Sequence, residues 1–122
     1  MKFVYPACLT FVLWIACHIP AQAHAFPDHS DPKVGGTVNP SPPAVRIWFT
    51  RNLTGTSSII QVFDSKGSEV DKRDSSINGE DKTLMSVSLP ALKAGSYKVT
   101  WQAVTTDTHH TSGSFTFEVT GH

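Results

Sequence analysis

Between residues 45 and 119 apolar residues recur at every second position, and this period of two is the strongest constraint on what the chain can become. Val45, Ile47 and Phe49 share one face of an extended segment, with Arg46, Trp48 and Thr50 on the other. A second segment runs from Ile59 to Phe63 and meets the turn Asp64-Ser65-Lys66-Gly67. A third covers Thr83 to Leu89, with Met85, Val87 and Leu89 alternating against Ser86 and Ser88. Tyr97, Val99, Trp101 and Ala103 mark one face of a fourth, and Phe115, Phe117 and Val119 one face of a fifth. Successive side chains of a strand point to opposite faces. Five such runs separated by Gly, Pro, Asn and Asp therefore predict an all-β sandwich or barrel. No segment has helical spacing. Asn39-Pro40-Ser41-Pro42-Pro43 predicts an extended lead-in to the Val45 strand. The polar stretch from Asp71 to Lys82, with Asn78-Gly79 as its turn signal, predicts an exposed loop. There is no internal repeat and no second domain.

Residues 1–23 have the features of a secretory signal peptide. Lys2 supplies a positive n-region, Leu9 to Ala16 an apolar stretch of the right length, and Ala21-Gln22-Ala23 a small-x-small cleavage site. The apolar stretch is shorter than the roughly 20 residues a membrane-spanning helix needs. Cleavage after Ala23 leaves a domain of residues 24–122 that begins with His24 and is expected in the periplasm. Two other processing events compete. Ala23-His24-Ala25 is also small-x-small, and Trp14-Ile15-Ala16-Cys17 is a distant echo of a lipoprotein signal. Either would deny His24 a free amine.

Both cysteines, Cys8 and Cys17, fall in the signal segment. The remaining domain has neither disulfides nor thiolate ligands, which argues against structural zinc, iron–sulfur and Cu(I)–thiolate sites. Without Lys2 the chain holds 9 basic and 10 acidic residues, a formal charge of −1. With no basic stripe, nucleic acid and anionic membranes are poor partners.

An N-terminal histidine presents two nitrogens to a metal, the α-amine and ring Nδ1. A second candidate cluster is Thr106-Asp107-Thr108-His109-His110. Together they suggest a site of three nitrogens and one oxygen, a set suited to tetragonal Cu(II). On a strand, residues i and i+2 share a face, so Asp107 and His109 are expected to converge and His110 to point away. His29 is a weaker candidate, and His122 is expected to face solvent. In an unprocessed chain the nitrogen of His24 is an amide, and the site is incomplete. Trp48, Tyr97, Trp101, Phe115 and Phe117 are expected to pack.

Several fragments in order carry a resemblance. They are His24-Ala25, Pro32, Gly35-Gly36, Pro43-x-Val45-x-Ile47-x-Phe49, Leu92-x-x-Gly95-x-Tyr97-x-Val99-x-Trp101, Thr106-Asp107-x-His109 and Gly113-x-Phe115-x-Phe117-x-Val119. In this pattern the chain resembles the CopC-type periplasmic copper-binding proteins. The resemblance implies a Greek-key β-sandwich or barrel of cupredoxin-like or immunoglobulin-like topology. It also implies one Cu(II) per mature chain, held by the amine and ring of His24, Asp107 and His109. Copper sequestration or carriage is the implied role, with a CopD-like inner-membrane copper-uptake protein as partner. No transmembrane segment follows Val119, so that partner would be a separate protein. Relatives that bind Cu(I) carry a methionine-rich loop. Here Met85 stands alone after the signal segment and its strand phase puts it in the core. Arg51 occupies a position where relatives often have an acid, and His110 one where they often have proline.

Two other functions compete with copper carriage. Copper-dependent polysaccharide monooxygenases also use an N-terminal histidine brace. Against that reading, 99 residues leave little flat surface for a polymer, and an Asp ligand would fill the position oxygen needs. The other is an immunoglobulin-like interaction module whose histidines are incidental.

Overall fold

The computed structural model describes residues 24–121. The segment read as a signal peptide, and His122, lie outside the described residues. Eight strands form: β1 (Pro27–Asp31), β2 (Thr37–Val38), β3 (Ala44–Phe49), β4 (Ile59–Phe63), β5 (Ser76–Ile77), β6 (Leu84–Ser88), β7 (Gly95–Val104) and β8 (His110–Val119). They make two four-stranded sheets, ordered β1-β3-β6-β5 and β2-β8-β7-β4. The described chain is thus an all-β sandwich, and it contains no helix.

The period of two becomes the core. Val45, Ile47, Phe49, Met85 and Val87 from one sheet meet Ile60, Val62, Val99, Trp101 and Phe117 from the other in one buried cluster. Met85 is completely buried, as its phase predicts. Burying aliphatic and aromatic side chains from both inner faces supplies the main stabilisation of such a sandwich. Trp48 is the exception among the expected packing residues. It sits on the outer phase of β3, and its ring stacks flat on His29, centroids 4.5 Å apart at 12°.

The expected exposed loop from Asp71 to Lys82 is only partly a loop. It contains β5, which pairs with β6, and it begins with a buried carboxylate. Asp71 is 7% exposed. Its Oδ1 accepts from the Val62 amide at 2.8 Å, and Oδ2 from the Arg73 amide at 3.1 Å. Ser75 Oγ both accepts from the Ile60 amide and donates to the Ile60 carbonyl. Side chains thereby satisfy the backbone of β4, the last strand of its sheet, where a neighbouring strand would otherwise do so. Composition reads this stretch as solvent-seeking, whereas its polar groups are spent on that sheet edge.

The longest pairing joins β7 to β8 over ten registered pairs, from Gly95↔Val119 to Val104↔His110. Within it Trp101 faces Gly113. The indole also meets Phe49 edge-on at 5.3 Å. A Cβ on residue 113 would lie 2.7 Å from indole Cζ2. Gly113 therefore makes room for the largest ring of the core. Gly113→Ala is expected to destabilise the fold by about 1–3 kcal/mol, the usual cost of overpacking. Thermal unfolding followed by circular dichroism checks this; an unchanged midpoint would show that the indole can move aside.

Candidate metal centre

The β7–β8 hairpin turns through residues 105–109, and the turn is built around Thr105. The Thr105 amide donates to the His109 carbonyl at 3.0 Å, and its carbonyl accepts from the Thr108 amide at 2.9 Å. Its hydroxyl donates to Asp107 Oδ1 and accepts from the His109 amide at 3.1 Å. Thr108 closes the turn in the left-handed region, φ 71°. Asp107 and His109 do converge, as the i, i+2 spacing predicts, but through this turn and not through strand alternation. Asp107 Oδ1 lies 3.1 Å from His109 Nδ1.

The other side of the site comes from the far end of the described chain. Ala25 is buried in the core cluster. Its carbonyl accepts from Thr111 Oγ1 at 2.6 Å. The Phe26 amide donates to Thr50 Oγ1 at 3.1 Å, and the Thr50 amide returns a bond to the Phe26 carbonyl at 2.9 Å. These bonds strap residues 25–26 between the end of β3 and the start of β8. They deliver His24 to the turn: its ring meets that of His109 edge-on, centroids 4.9 Å apart at 82°. Phe26 flanks His24 at 6.4 Å.

The electrostatics suit a cation. The Thr105 hydroxyl, and after it the His109 ring, hold the Asp107 carboxyl down to about 2 from its ordinary 3.8. His109 Nδ1 is sealed from solvent, yet its geometry to Asp107 does not close a hydrogen bond and no other group reaches it. A buried nitrogen left without a partner is costly in a finished structure, and a metal would satisfy it. Among the described residues no three His, Cys, Asp or Glu side chains form a ready-made metal cage. The contacts instead form a chain, His24 to His109 to Asp107.

Among the described residues, the other two histidines lie apart from this chain of contacts. His110 pairs with Val104 at the start of β8 and is exposed, on the same alternate phase as Ser112 and Ser114. His29 is engaged on the surface, stacked on Trp48 with Nδ1 2.8 Å from Asp28 Oδ2. Sequence reasoning missed Thr105, Thr111, Thr50 and Ala25. Thr105 had a local signal, since Ser and Thr commonly bond side chains and amides a few residues on. Thr111 and Thr50 had none, because their partners are 86 and 24 residues away.

A match to the CopC domain covers residues 28–120. The chain therefore belongs to the CopC family. Asp107 and His109 lie inside the matched span and His24 four residues before it. The chain is 30% identical over 105 residues to the copper resistance protein C of Pseudomonas syringae pv. tomato, covering 81% of this chain and 82% of that one. It superposes on CopC from Methylosinus trichosporium OB3b with a TM-score of 0.76 at 26% identity, over 81% of this chain and 96% of that one. It superposes on PcoC, a methionine-rich copper resistance protein from Escherichia coli, with a TM-score of 0.70 at 30% identity, over 80% and 99%.

A carboxyl whose folded pKa is depressed contributes stability above its unfolded value and loses it as pH falls through the folded one. For Asp107 that window runs from 3.8 down to about 2. The metal-free protein is expected to lose stability across this window, and Asp107→Asn to lose less. Urea denaturation at the two ends of the window checks the difference between parent and variant. Equal losses would mean the Thr105 bond does not favour the ionised carboxylate.

Proposed function

We propose that removal of residues 1–23 leaves His24 as the N-terminus, and that the exported domain then holds one Cu(II) through the amine and ring of His24, Asp107 and His109. The carrying observation is the 4.9 Å meeting of the His24 and His109 rings, from segments 85 residues apart, with Asp107 alongside. The protein carries or sequesters copper in the periplasm, as a binding protein and not an enzyme, and passes it to a CopD-like membrane partner. Membership of a family whose members are named for copper resistance supports this reading. Nitrogen and carboxylate donors suit Cu(II), whereas Cu(I) prefers thiolate and thioether. Residues 24–122 contain no cysteine, and their one methionine, Met85, is buried in the core. In this respect the chain departs from methionine-rich PcoC.

His109→Ala is expected to weaken Cu(II) binding by more than about tenfold, or ~1.4 kcal/mol, and Asp107→Ala by less, because imidazole is the stronger donor to Cu(II). His110→Ala is expected to leave binding close to that of the parent. Competition titration with a chromophoric chelator checks the series. Loss of binding in His110→Ala with retention in His109→Ala would shift the ligand assignment by one residue.

The purified exported protein is expected to begin at His24 by mass spectrometry. It should give one tetragonal Cu(II) signal with nitrogen coupling in electron paramagnetic resonance. A form keeping even one residue before His24 is expected to bind Cu(II) much more weakly, since an amide nitrogen lacks the amine's lone pair and its chelate with the ring. Equal affinities for the two forms would remove the N-terminal amine from the ligand set, and a tight Cu(I) complex would overturn the oxidation state.

A further inference from the structure

We propose that Thr105 is a positioning residue for the copper site, its hydroxyl setting the Asp107 carboxylate and the His109 backbone in the arrangement that a metal needs. This rests on the copper reading above and adds a residue to it that is not a ligand. Thr105 is 3% exposed. A hydroxyl has one proton to give and lone pairs with which to accept, and here both are used within one turn. The proton goes to Asp107 Oδ1, and a lone pair takes the His109 amide. A single oxygen atom thus ties the two neighbouring ligand residues to each other.

The hub is also fixed to the body of the sandwich. Thr105 makes a β-bridge with Leu53, a core residue, and the adjacent Val104 carbonyl accepts from the Thr54 amide at 2.8 Å. The turn is therefore held against a wall that does not belong to the hairpin. Asp107, by contrast, has a side chain more than half exposed, and a free carboxylate there would sample several rotamers. Both of its contacts fall on Oδ1, so Oδ2 stays available to a metal. Bonds of this kind orient the ligands of a metal, and their loss commonly costs 10- to 100-fold in affinity.

Thr105→Val keeps the shape and removes the hydroxyl. The backbone bonds Thr105 amide to His109 carbonyl and Thr108 amide to Thr105 carbonyl remain possible. In the exported protein, Thr105→Val is expected to weaken Cu(II) binding by about 10- to 100-fold and to change the copper hyperfine splitting. Thr105→Ser is expected to restore both. His109→Ala in the same titration reports on the copper reading itself. If it binds like the parent, the site is elsewhere and the underlying reading fails. If it loses binding while Thr105→Val matches the parent in affinity and spectrum, the proposal for Thr105 fails alone. Thr105→Ser falling as far as Thr105→Val would also overturn it, because packing and not the hydroxyl would then be what matters. Should Thr105→Val not fold, nuclear magnetic resonance of the metal-free parent decides: a Thr105 hydroxyl proton protected from exchange is expected, and free exchange would overturn the proposal.

Discussion

The ten-pair ladder between β7 and β8 is the constraint on which the rest of the molecule depends. Its inner face supplies Tyr97, Val99, Trp101, Ala103, Phe115, Phe117 and Val119 to the core. Its register fixes which residues fall in the connecting turn. A slip of one residue would turn every inward side chain outward, and it would also move Asp107 and His109 off the turn. The fit of the Trp101 indole over Gly113 pins that register, because a side chain on residue 113 would meet the ring. Core packing and site geometry are therefore set by the same pairing. The candidate metal centre lies at the end of the longest and most regular piece of the sandwich, where a rigid scaffold can hold a short functional turn.

The second half of the site depends on a different device. Residues 25–26 precede the first strand, and a segment in that position frays unless it is tied down. Here burial of Ala25 and three hydrogen bonds from Thr111 and Thr50 do the tying. The bond from Thr111 is notable for its position, two residues after His109 and at the start of β8. Movement of β8 would carry both the turn and the strap. His24 and His109 thus share an anchor, although one stands at the start of the described chain and the other in its last hairpin.

The fold was legible in the sequence where burial on one face enforces alternation. Val45-Ile47-Phe49, Met85-Val87 and Phe115-Phe117-Val119 each read as a strand and each is one. The strands β1, β2 and β5 were not legible. Each is short or lies at a sheet edge, with little apolar surface to impose a pattern, as in Pro27-Asp28-His29-Ser30-Asp31. Asp71 illustrates the opposite failure: a charged residue reads as surface, and only the three-dimensional path shows that it caps β4. At the site, the convergence of Asp107 with His109 was legible from their spacing, but its cause was not. The left-handed Thr108 is a conformation that a β-branched residue seldom adopts, and nothing local in the sequence announces it. His29 and Trp48 could be read separately as a possible ligand and a packing residue. Their mutual stacking on the outer face removes the first from the site and the second from the core.

The strain at Thr108 clarifies why so much hydrogen bonding is concentrated in five residues. A non-glycine residue in a sparsely populated backbone region costs of order 1–3 kcal/mol and persists only where its surroundings over-determine it. Here the surroundings are the bonds of Thr105 to Asp107, Thr108 and His109. Each net hydrogen bond contributes about 0.5–1.5 kcal/mol, so a few suffice to offset the strain. Asp107 stays half in solvent, and His109 Nδ1 lies beside Asp107 Oδ1 without closing a hydrogen bond. The turn is therefore well held in its backbone and incomplete in its side chains. The donors are thus set in advance by the backbone, with the Asp107 side chain open to solvent on one side of the turn. His24 and Phe26, both exposed, flank this turn, so the site lies at the edge of the sandwich and not between its sheets.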